Sequence, residues 1–85
     1  MIVFEFLSSS EKSFQKIDKK NQDRIIKKLQ SLKKHPNIFH ILRPLFDFKP
    51  ATHRLRIGNF RLILKQEAAT NFLILDIGDR REIYK

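Results

Sequence analysis

The sequence predicts an α+β fold, in which an N-terminal strand and a helical segment precede an antiparallel sheet of three further strands. Three patterns support this fold class: alternating residues at positions 2–7, a helical apolar stripe within residues 11–34, and two alternating runs joined by Gly58-Asn59. A chain of 85 residues has room for one domain, which we expect to span residues 1–85.

The composition is strongly basic, with 18 Lys and Arg, nine acidic residues and a net charge of +9. This excess predicts a polyanionic or strongly acidic partner. The absence of cysteine excludes disulfides and thiol chemistry, and it fits a cytoplasmic protein. The apolar start contains Glu5 and has no basic leader, so we expect no signal peptide. No apolar run approaches the roughly 20 residues that cross a bilayer, so we expect a soluble protein with no membrane partner.

Residues 2–11 indicate the first strand and the start of a helix. Apolar residues occupy both faces of the alternating segment except at Glu5, which predicts a strand inside a sheet. Ser8 and Glu11 have the spacing of a capping box, in which each side chain satisfies a free amide at a helix start. We therefore expect a capped helix to begin here.

The helical segment, residues 11–34, carries its apolar side chains on one stripe. This stripe consists of Phe14, Ile17, Ile25, Ile26, Leu29 and Leu32. One long helix fits the spacing, and so does a pair of helices broken near Asp18, with Asp18 capping the second. Periodicity does not choose between them. The surrounding lysines are interpreted as a solvated face that attracts nucleic acid non-specifically.

The helical segment ends at His35-Pro36-Asn37, because proline lacks an amide donor and restricts the residue before it. The next segment, residues 40–50, contains two prolines together with Phe46 and Phe48. We interpret it as an ordered loop held in place by these two aromatic side chains.

The Gly58-Asn59 dipeptide predicts a hairpin with a two-residue turn. This register pairs Arg56 with Arg61 and sends alternate side chains to opposite faces. The predicted core face consists of His53, Leu55, Ile57, Phe60, Leu62 and Leu64. The predicted outer face consists of Arg54, Arg56, Arg61, Ile63 and Lys65. Like charges directly opposite each other destabilise a strand pair, so we expect something anionic to offset the repulsion.

The last strand is predicted at residues 72–77, a nearly continuous apolar run that fits a central strand buried on both faces. The polar stretch at 66–71 reverses the chain before it. If Leu73, Leu75 and Ile77 face the helices, Asp76 lies on the arginine side, where it can orient or partly neutralise an arginine.

The usual signatures of cofactor and nucleophile sites are missing. The sequence contains no P-loop, no glycine-rich dinucleotide turn and no nucleophile elbow, and its three histidines lack a metal-ligand spacing. We expect neither a cofactor nor a metal. His53 is interpreted as a satisfied core residue, because it falls on the apolar face of the hairpin.

The remaining candidates are arginines and the single tyrosine: Arg54, Arg56, Arg61, Arg80 or Arg81, and Tyr84. The planar fork of arginine donates two parallel hydrogen bonds to a phosphate, and several arginines can stabilise a pentacovalent transition state. Arginine is a poor base, because its pKa is far above neutrality. RNA supplies its own nucleophile, the ribose 2′-hydroxyl, so this set suits metal-free cleavage of RNA and not of DNA.

Three motifs carry a resemblance to a known family: IDKKNQDRIIKKLQSLKKHP, HRLRIGNFRLIL and GDRREIY. They resemble the RelE/ParE superfamily, the toxins of type II toxin-antitoxin pairs. The resemblance covers most of the chain, from about Ser8 to Lys85, in the family's order. The resemblance implies a strand, two helices that form a helical hairpin, and an antiparallel sheet. It therefore favours the broken helix.

The resemblance also implies roles for individual residues. Arg61 matches the family's phosphate-stabilising arginine, and Arg54 or Arg56 matches a basic residue on the preceding strand. Arg80, with Arg81 as the alternative, matches the arginine implicated in protonating or stabilising the leaving oxygen.

Tyr84 matches a terminal tyrosine that stacks on a base or orients the nucleotide. Asp79 stands where many relatives have histidine, and we favour a turn residue over a general base. Arginines replace the lysines that some relatives carry before the turn, so the general base stays open. The predicted catalytic residues are Arg54, Arg61, Arg80 and Tyr84. The predicted RNA-binding residues are Arg56, Arg81 and Lys65.

In the RelE branch the implied activity is ribosome-dependent cleavage of mRNA in the A site. The implied partners are the ribosome, mRNA and a cognate antitoxin, with operator DNA bound only through the antitoxin. Two alternatives remain: a non-enzymatic ParE-like toxin that binds DNA gyrase, and a catalytically inactive RNA-binding relative.

Overall fold

A computed structural model of the chain describes residues 1–79. Its five strands form one sheet in the order β1-β5-β4-β3-β2, in which β1 runs parallel to β5 and the other neighbours are antiparallel. The elements are β1 (Val3–Phe6), α1 (Ser8–Gln15), α2 (Lys19–Leu32), a 3-10 turn (Ile38–His40), β2 (Arg43–Pro44), β3 (His53–Ile57), β4 (Phe60–Ala68) and β5 (Asn71–Asp79). The predicted α+β class is confirmed. The sheet is mixed and has one more strand, the two-residue β2, than the sequence predicted.

The first strand lies at an edge of the sheet, so the prediction of a strand inside the sheet was wrong. Among the strands of residues 1–79, only β5 pairs with β1, and Val3 is 39% exposed. Phe4 and Phe6 pack partly against the core from the other face. Apolar residues on both faces of a strand indicate how its side chains pack. They do not indicate whether one strand or two strands pair with it.

The helical segment is broken, and Asp18 caps the second helix. The Asp18 carboxylate accepts hydrogen bonds from the Asn21 amide at 3.3 Å and from the Asn21 side chain at 2.8 Å. These contacts, the side-chain bond above all, lower the pKa of Asp18. The Gln22 side chain donates to the Ile17 carbonyl at 2.8 Å, which holds the connection against α2. The two-helix alternative is therefore the observed one.

The predicted capping box is absent. Helix α1 begins at Ser8, so Leu7 occupies the capping position and makes no side-chain capping bond. The serine that matters is Ser10, which is fully buried with its hydroxyl 2.6 Å from the Ile74 carbonyl oxygen. This hydrogen bond ties α1 to β5.

The core lies between the helices and one face of the sheet. It consists of Ile2, Ile25, Leu29, Leu32, Ile38, Leu42, Leu55, Ile57, Leu62, Leu64, Phe72, Ile74 and Ile77. Three stripe residues of α2 are among them, whereas Ile26 is 36% exposed and lies off the stripe. No helix within residues 1–79 is long and apolar enough to cross a membrane.

The loop aromatics do not hold their loop, contrary to the sequence interpretation. Phe46 is 77% exposed and Phe48 is 53% exposed. Two backbone bonds order the loop instead, from the Leu45 amide to the Thr52 carbonyl at 2.9 Å and from the Ala51 amide to the Phe48 carbonyl at 2.8 Å.

The hairpin has the predicted register, from the pair Ile57 and Phe60 beside the turn to the pair His53 and Leu64. Gly58 has a φ of +60°, a conformation that glycine adopts without steric cost. The turn therefore fixes which side chains of β3 and β4 share a face.

The predicted faces of β5 were partly wrong. Phe72 and Ile74 are buried in the core together with Ile77, because an irregularity in the pairing at Leu75 changes the alternation. Asp76 lies opposite Ile63 and so on the outer face, as predicted. Asp79 belongs to β5 and pairs with Phe60, so its interpretation as a turn residue was wrong.

Candidate functional site

Four arginines line one surface depression of about 300 Å³ on the outer face of the sheet. We call it the arginine depression, and its residues are Arg43, Arg54, Arg56 and Arg61. Three strands contribute to it, since Arg43 lies on β2, Arg54 and Arg56 lie on β3, and Arg61 lies on β4. The sheet therefore gathers on one face four cations from three strands within residues 43–61.

The strand register sets the geometry of the arginine depression. Arg43 lies opposite Arg54, and Arg56 lies opposite Arg61. Cβ atoms of directly opposed residues are about 4.5–5.5 Å apart, and alternate residues on one strand are about 7 Å apart. These spacings let several guanidinium groups reach one phosphate or two successive phosphates.

Arg61 lies on the predicted face but is more buried than the sequence suggested, with only 9% of its surface exposed. The reason is its place on β4, the middle strand, with Arg56 on one side and Gly78 on the other. Burial restricts the rotamers of a side chain, and arginine keeps its charge because its pKa is far above neutrality. Arg61 is therefore a conformationally restricted cation, and it lines the depression from the middle strand of the sheet.

Arg56 is exposed, and its Nε donates to the Gly58 carbonyl at 3.3 Å. Lys65 was predicted on the same face but does not line the depression. It lies four residues beyond Arg61 on β4, about 13 Å along the strand. Its Nζ forms an exposed ion pair with Glu67 at 3.5 Å. The structure thus separates Lys65 from the arginines.

Three predicted site residues, Arg80, Arg81 and Tyr84, lie outside the described residues, so their roles stay predictions. Arg43 is a member of the depression that sequence reasoning missed. A strand of two residues has no periodicity, and only its pairing with β3 brings Arg43 beside Arg54.

His53 lies on the core face, away from the arginine depression. Its Nδ1 is 2.9 Å from the Thr52 hydroxyl, and its ring meets that of Phe72 edge-on at 5.9 Å. Burial lowers the pKa of His53, which favours the neutral imidazole. Within residues 1–79, no three acidic, His or Cys side chains are placed to hold a metal ion.

A second basic depression, of about 830 Å³, lies between α2 and the hairpin turn. Its cations are Lys20, Arg24, Lys27, Lys28 and Arg56. Asp23 also lines it, but that carboxylate forms an ion pair with Lys19 at 3.3 Å. Arg56 borders both depressions, so the positive surface continues from the sheet to the helix.

The fold matches solved structures of toxins, at sequence identities that show the fold alone. A chain of the RelBE2 toxin-antitoxin complex from Mycobacterium tuberculosis matches with a TM-score of 0.75 and 18% identity, covering 93% of this chain and 91% of that chain. The isolated Escherichia coli RelE toxin matches with a TM-score of 0.68 and 16% identity, covering 93% and 84%. A chain of the Methanococcus jannaschii RelB-RelE complex matches with a TM-score of 0.64 and 18% identity, covering 95% of both chains.

No curated protein sequence matches the chain significantly. A family model does match, over residues 4–84, and describes the ParE toxin of the type II toxin-antitoxin system parDE. The match spans nearly the whole chain and agrees with the fold. The chain therefore belongs to the ParE toxin family, within the RelE/ParE superfamily of type II toxins.

Proposed function

We propose that this toxin is a ribosome-dependent mRNA endoribonuclease that binds the scissile phosphate in the arginine depression. The observation that carries the proposal is the convergence of four arginines from three strands on one depression. Two of its cross-strand pairs oppose like charges, so a bound anion would stabilise this face of the sheet. A phosphodiester matches both the charge and the hydrogen-bonding geometry of the guanidinium group.

In the proposed reaction the ribose 2′-oxygen attacks the adjacent phosphorus and the bond from phosphorus to the 5′-oxygen breaks. The 2′-hydroxyl gives its proton to water, and the leaving 5′-oxygen takes up one proton, so no proton is gained or lost overall. The products are a 2′,3′-cyclic phosphate and a 5′-hydroxyl. Arg61, held by burial, donates to the non-bridging oxygens as their charge grows, and Arg54 and Arg56 position the backbone. None of these arginines accepts the 2′-proton at neutral pH, so they act through charge and position.

The family resemblance adds three residues to the proposed site: Arg80, Arg81 and Tyr84. Arg80, or Arg81 in its place, protonates or stabilises the leaving 5′-oxygen, and Tyr84 stacks on a base. A cognate antitoxin neutralises the toxin by covering its basic surface, a proposal supported by the net charge of +9 and by the toxin-antitoxin complexes among the matching structures. Operator DNA is contacted through the antitoxin. Because the ribosome and the antitoxin are its proposed partners, we expect the protein in the cytoplasm.

A second candidate function is inhibition of DNA gyrase by binding, without catalysis. The observation in its favour is the family model, which describes a ParE toxin. The arginine depression favours the nuclease, because binding to gyrase does not require arginines gathered around one phosphate.

A translation extract distinguishes these functions. The purified toxin is added to the extract and to a parallel gyrase supercoiling assay, and the message is mapped by primer extension. A ribonuclease produces new 5′ ends only on messages engaged by ribosomes and leaves supercoiling intact. Inhibited supercoiling with intact mRNA would establish the gyrase alternative, and an effect in neither assay would indicate an inactive RNA-binding relative.

A further inference from the structure

The loop between β2 and β3 exposes two phenylalanines that neither the core nor the arginine depression uses. Phe46 is 77% exposed and Phe48 is 53% exposed. Exposure of two large aromatic side chains that are two residues apart forgoes the burial of apolar surface that normally stabilises a fold, which points to a bound partner.

The loop that exposes these two phenyl rings is ordered by backbone hydrogen bonds. At its start the Leu45 amide bonds to the Thr52 carbonyl at 2.9 Å, and at its end the Ala51 amide bonds to the Phe48 carbonyl at 2.8 Å. Between the two aromatics, Asp47 has a φ of +63°, the left-handed conformation that aspartate tolerates better than most residues. The backbone therefore holds both phenyl rings out of the core.

The loop continues directly from the arginine depression. Phe46 follows Arg43 by three residues, so their Cα atoms are at most about 11 Å apart. The bond between Leu45 and Thr52 extends the pairing of β2 with β3, which keeps this stretch beside Arg54. The aromatics thus stand at the edge of the sheet that carries the cations.

We propose that Phe46 and Phe48 form a stacking platform for the bases of single-stranded RNA next to the phosphate held in the arginine depression. This inference rests on the proposed ribonuclease function. Sequence-tolerant binding of single strands combines a cationic track for the backbone with exposed aromatic rings for the bases. Arg43 precedes the two aromatics and Lys49 follows them, and these two cations outnumber Asp47 between the aromatics. The net positive charge favours nucleic acid over an apolar protein segment.

The test measures binding of the full-length protein to a fluorescent 12-nucleotide oligouridine with 2′-O-methyl riboses, which cannot be cleaved by 2′-hydroxyl attack. Phe46→Ala and Phe48→Ala should each weaken binding about fivefold or more, the usual loss for one stacked base. Phe46→Tyr should bind like the wild type, and Phe46→Leu should bind like the alanine variant. For an abasic oligomer of the same length and charge, wild type and Phe46→Ala should bind equally.

Ile26→Ala is the matched control, since Ile26 is a partly exposed apolar residue on α2, and it should leave RNA affinity unchanged. Thermal melts confirm that each variant is folded. Unchanged affinity in both alanine variants, or full rescue by leucine, would overturn the proposal and assign the loop to an apolar protein partner.

The two proposals fail separately. If the protein binds the probe through its aromatics but leaves ribosome-bound mRNA intact, the ribonuclease proposal is wrong and the stacking platform stands. A protein that cleaves mRNA while the Phe variants bind the probe normally contradicts only the platform.

Discussion

Arg56→Gln should make the free protein more stable while weakening its hold on RNA. Arg56 lies directly opposite Arg61, and Arg61 is only 9% exposed. At a charge separation of about 6 Å, Coulomb's law gives about 0.7 kcal/mol of repulsion in water, and more where burial lowers the effective dielectric constant. Loss of the exposed hydrogen bond from Arg56 to Gly58 offsets little of this. We expect a gain of about 1 kcal/mol, or a rise in Tm of about 4–8 °C.

The assay is thermal unfolding followed by circular dichroism at low salt and at about 1 M salt, where the Debye length is only about 3 Å. Lys34→Gln is the control, because Lys34 is exposed, lies beyond the end of α2 and gives the same change in net charge. The gain should be specific to Arg56 and should disappear at high salt. Equal Tm changes for the two variants at low salt would mean that the arginine charges are already compensated within the protein, which would refute the argument that the depression needs an anion.

Three further predictions concern the fold. Ser10→Ala should lower the free energy of unfolding by about 1 kcal/mol in denaturant titrations, since the Ile74 carbonyl loses its 2.6 Å bond to the buried hydroxyl; an unchanged midpoint would show that this bond does not stabilise the fold. Leu62→Asp should prevent folding, because Leu62 is fully buried and an unpaired charge would enter the core; a variant that melts like the wild type would contradict the assigned faces. Burial lowers the pKa of His53 below the unfolded value of about 6.5, so its contribution is complete above that pH and is lost as pH falls through the interval between the two values. His53→Gln should flatten this part of the profile of stability against pH, and an NMR titration showing a His53 pKa above 6.5 would contradict the argument.

The hairpin was predictable because its signals are local. Gly58-Asn59 fixes the turn, the turn fixes the register, and the register determines that Arg54, Arg56 and Arg61 share a face. The break between the helices was one of two readings of the same periodicity. The hydrogen bonds of Asp18 to Asn21 stabilise the start of the second helix. The sequence shows that these bonds can form, but it does not show that they do.

The remaining features depend on contacts between distant segments. Arg43 joins the arginine depression through a two-residue strand, and Ser10 finds its partner 64 residues away on β5. The irregular pairing at Leu75 reversed the faces assigned to Phe72 and Ile74. Strict alternation cannot anticipate an extra residue in a strand, because nothing in the apolar run marks where the ladder shifts.

The central claim is that RNA supplies the nucleophile while fixed arginines hold its phosphate, and a 2′-deoxy substitution tests it most directly. The cleavage position in a ribosome-bound message is first mapped by primer extension, and that nucleotide is then replaced by its 2′-deoxy counterpart. The all-ribose message should be cut to a 2′,3′-cyclic phosphate and a 5′-hydroxyl, the substituted message should stay intact, and folded Arg61→Ala should cut neither. Cleavage of the 2′-deoxy message, or wild-type activity in Arg61→Ala, would contradict the account.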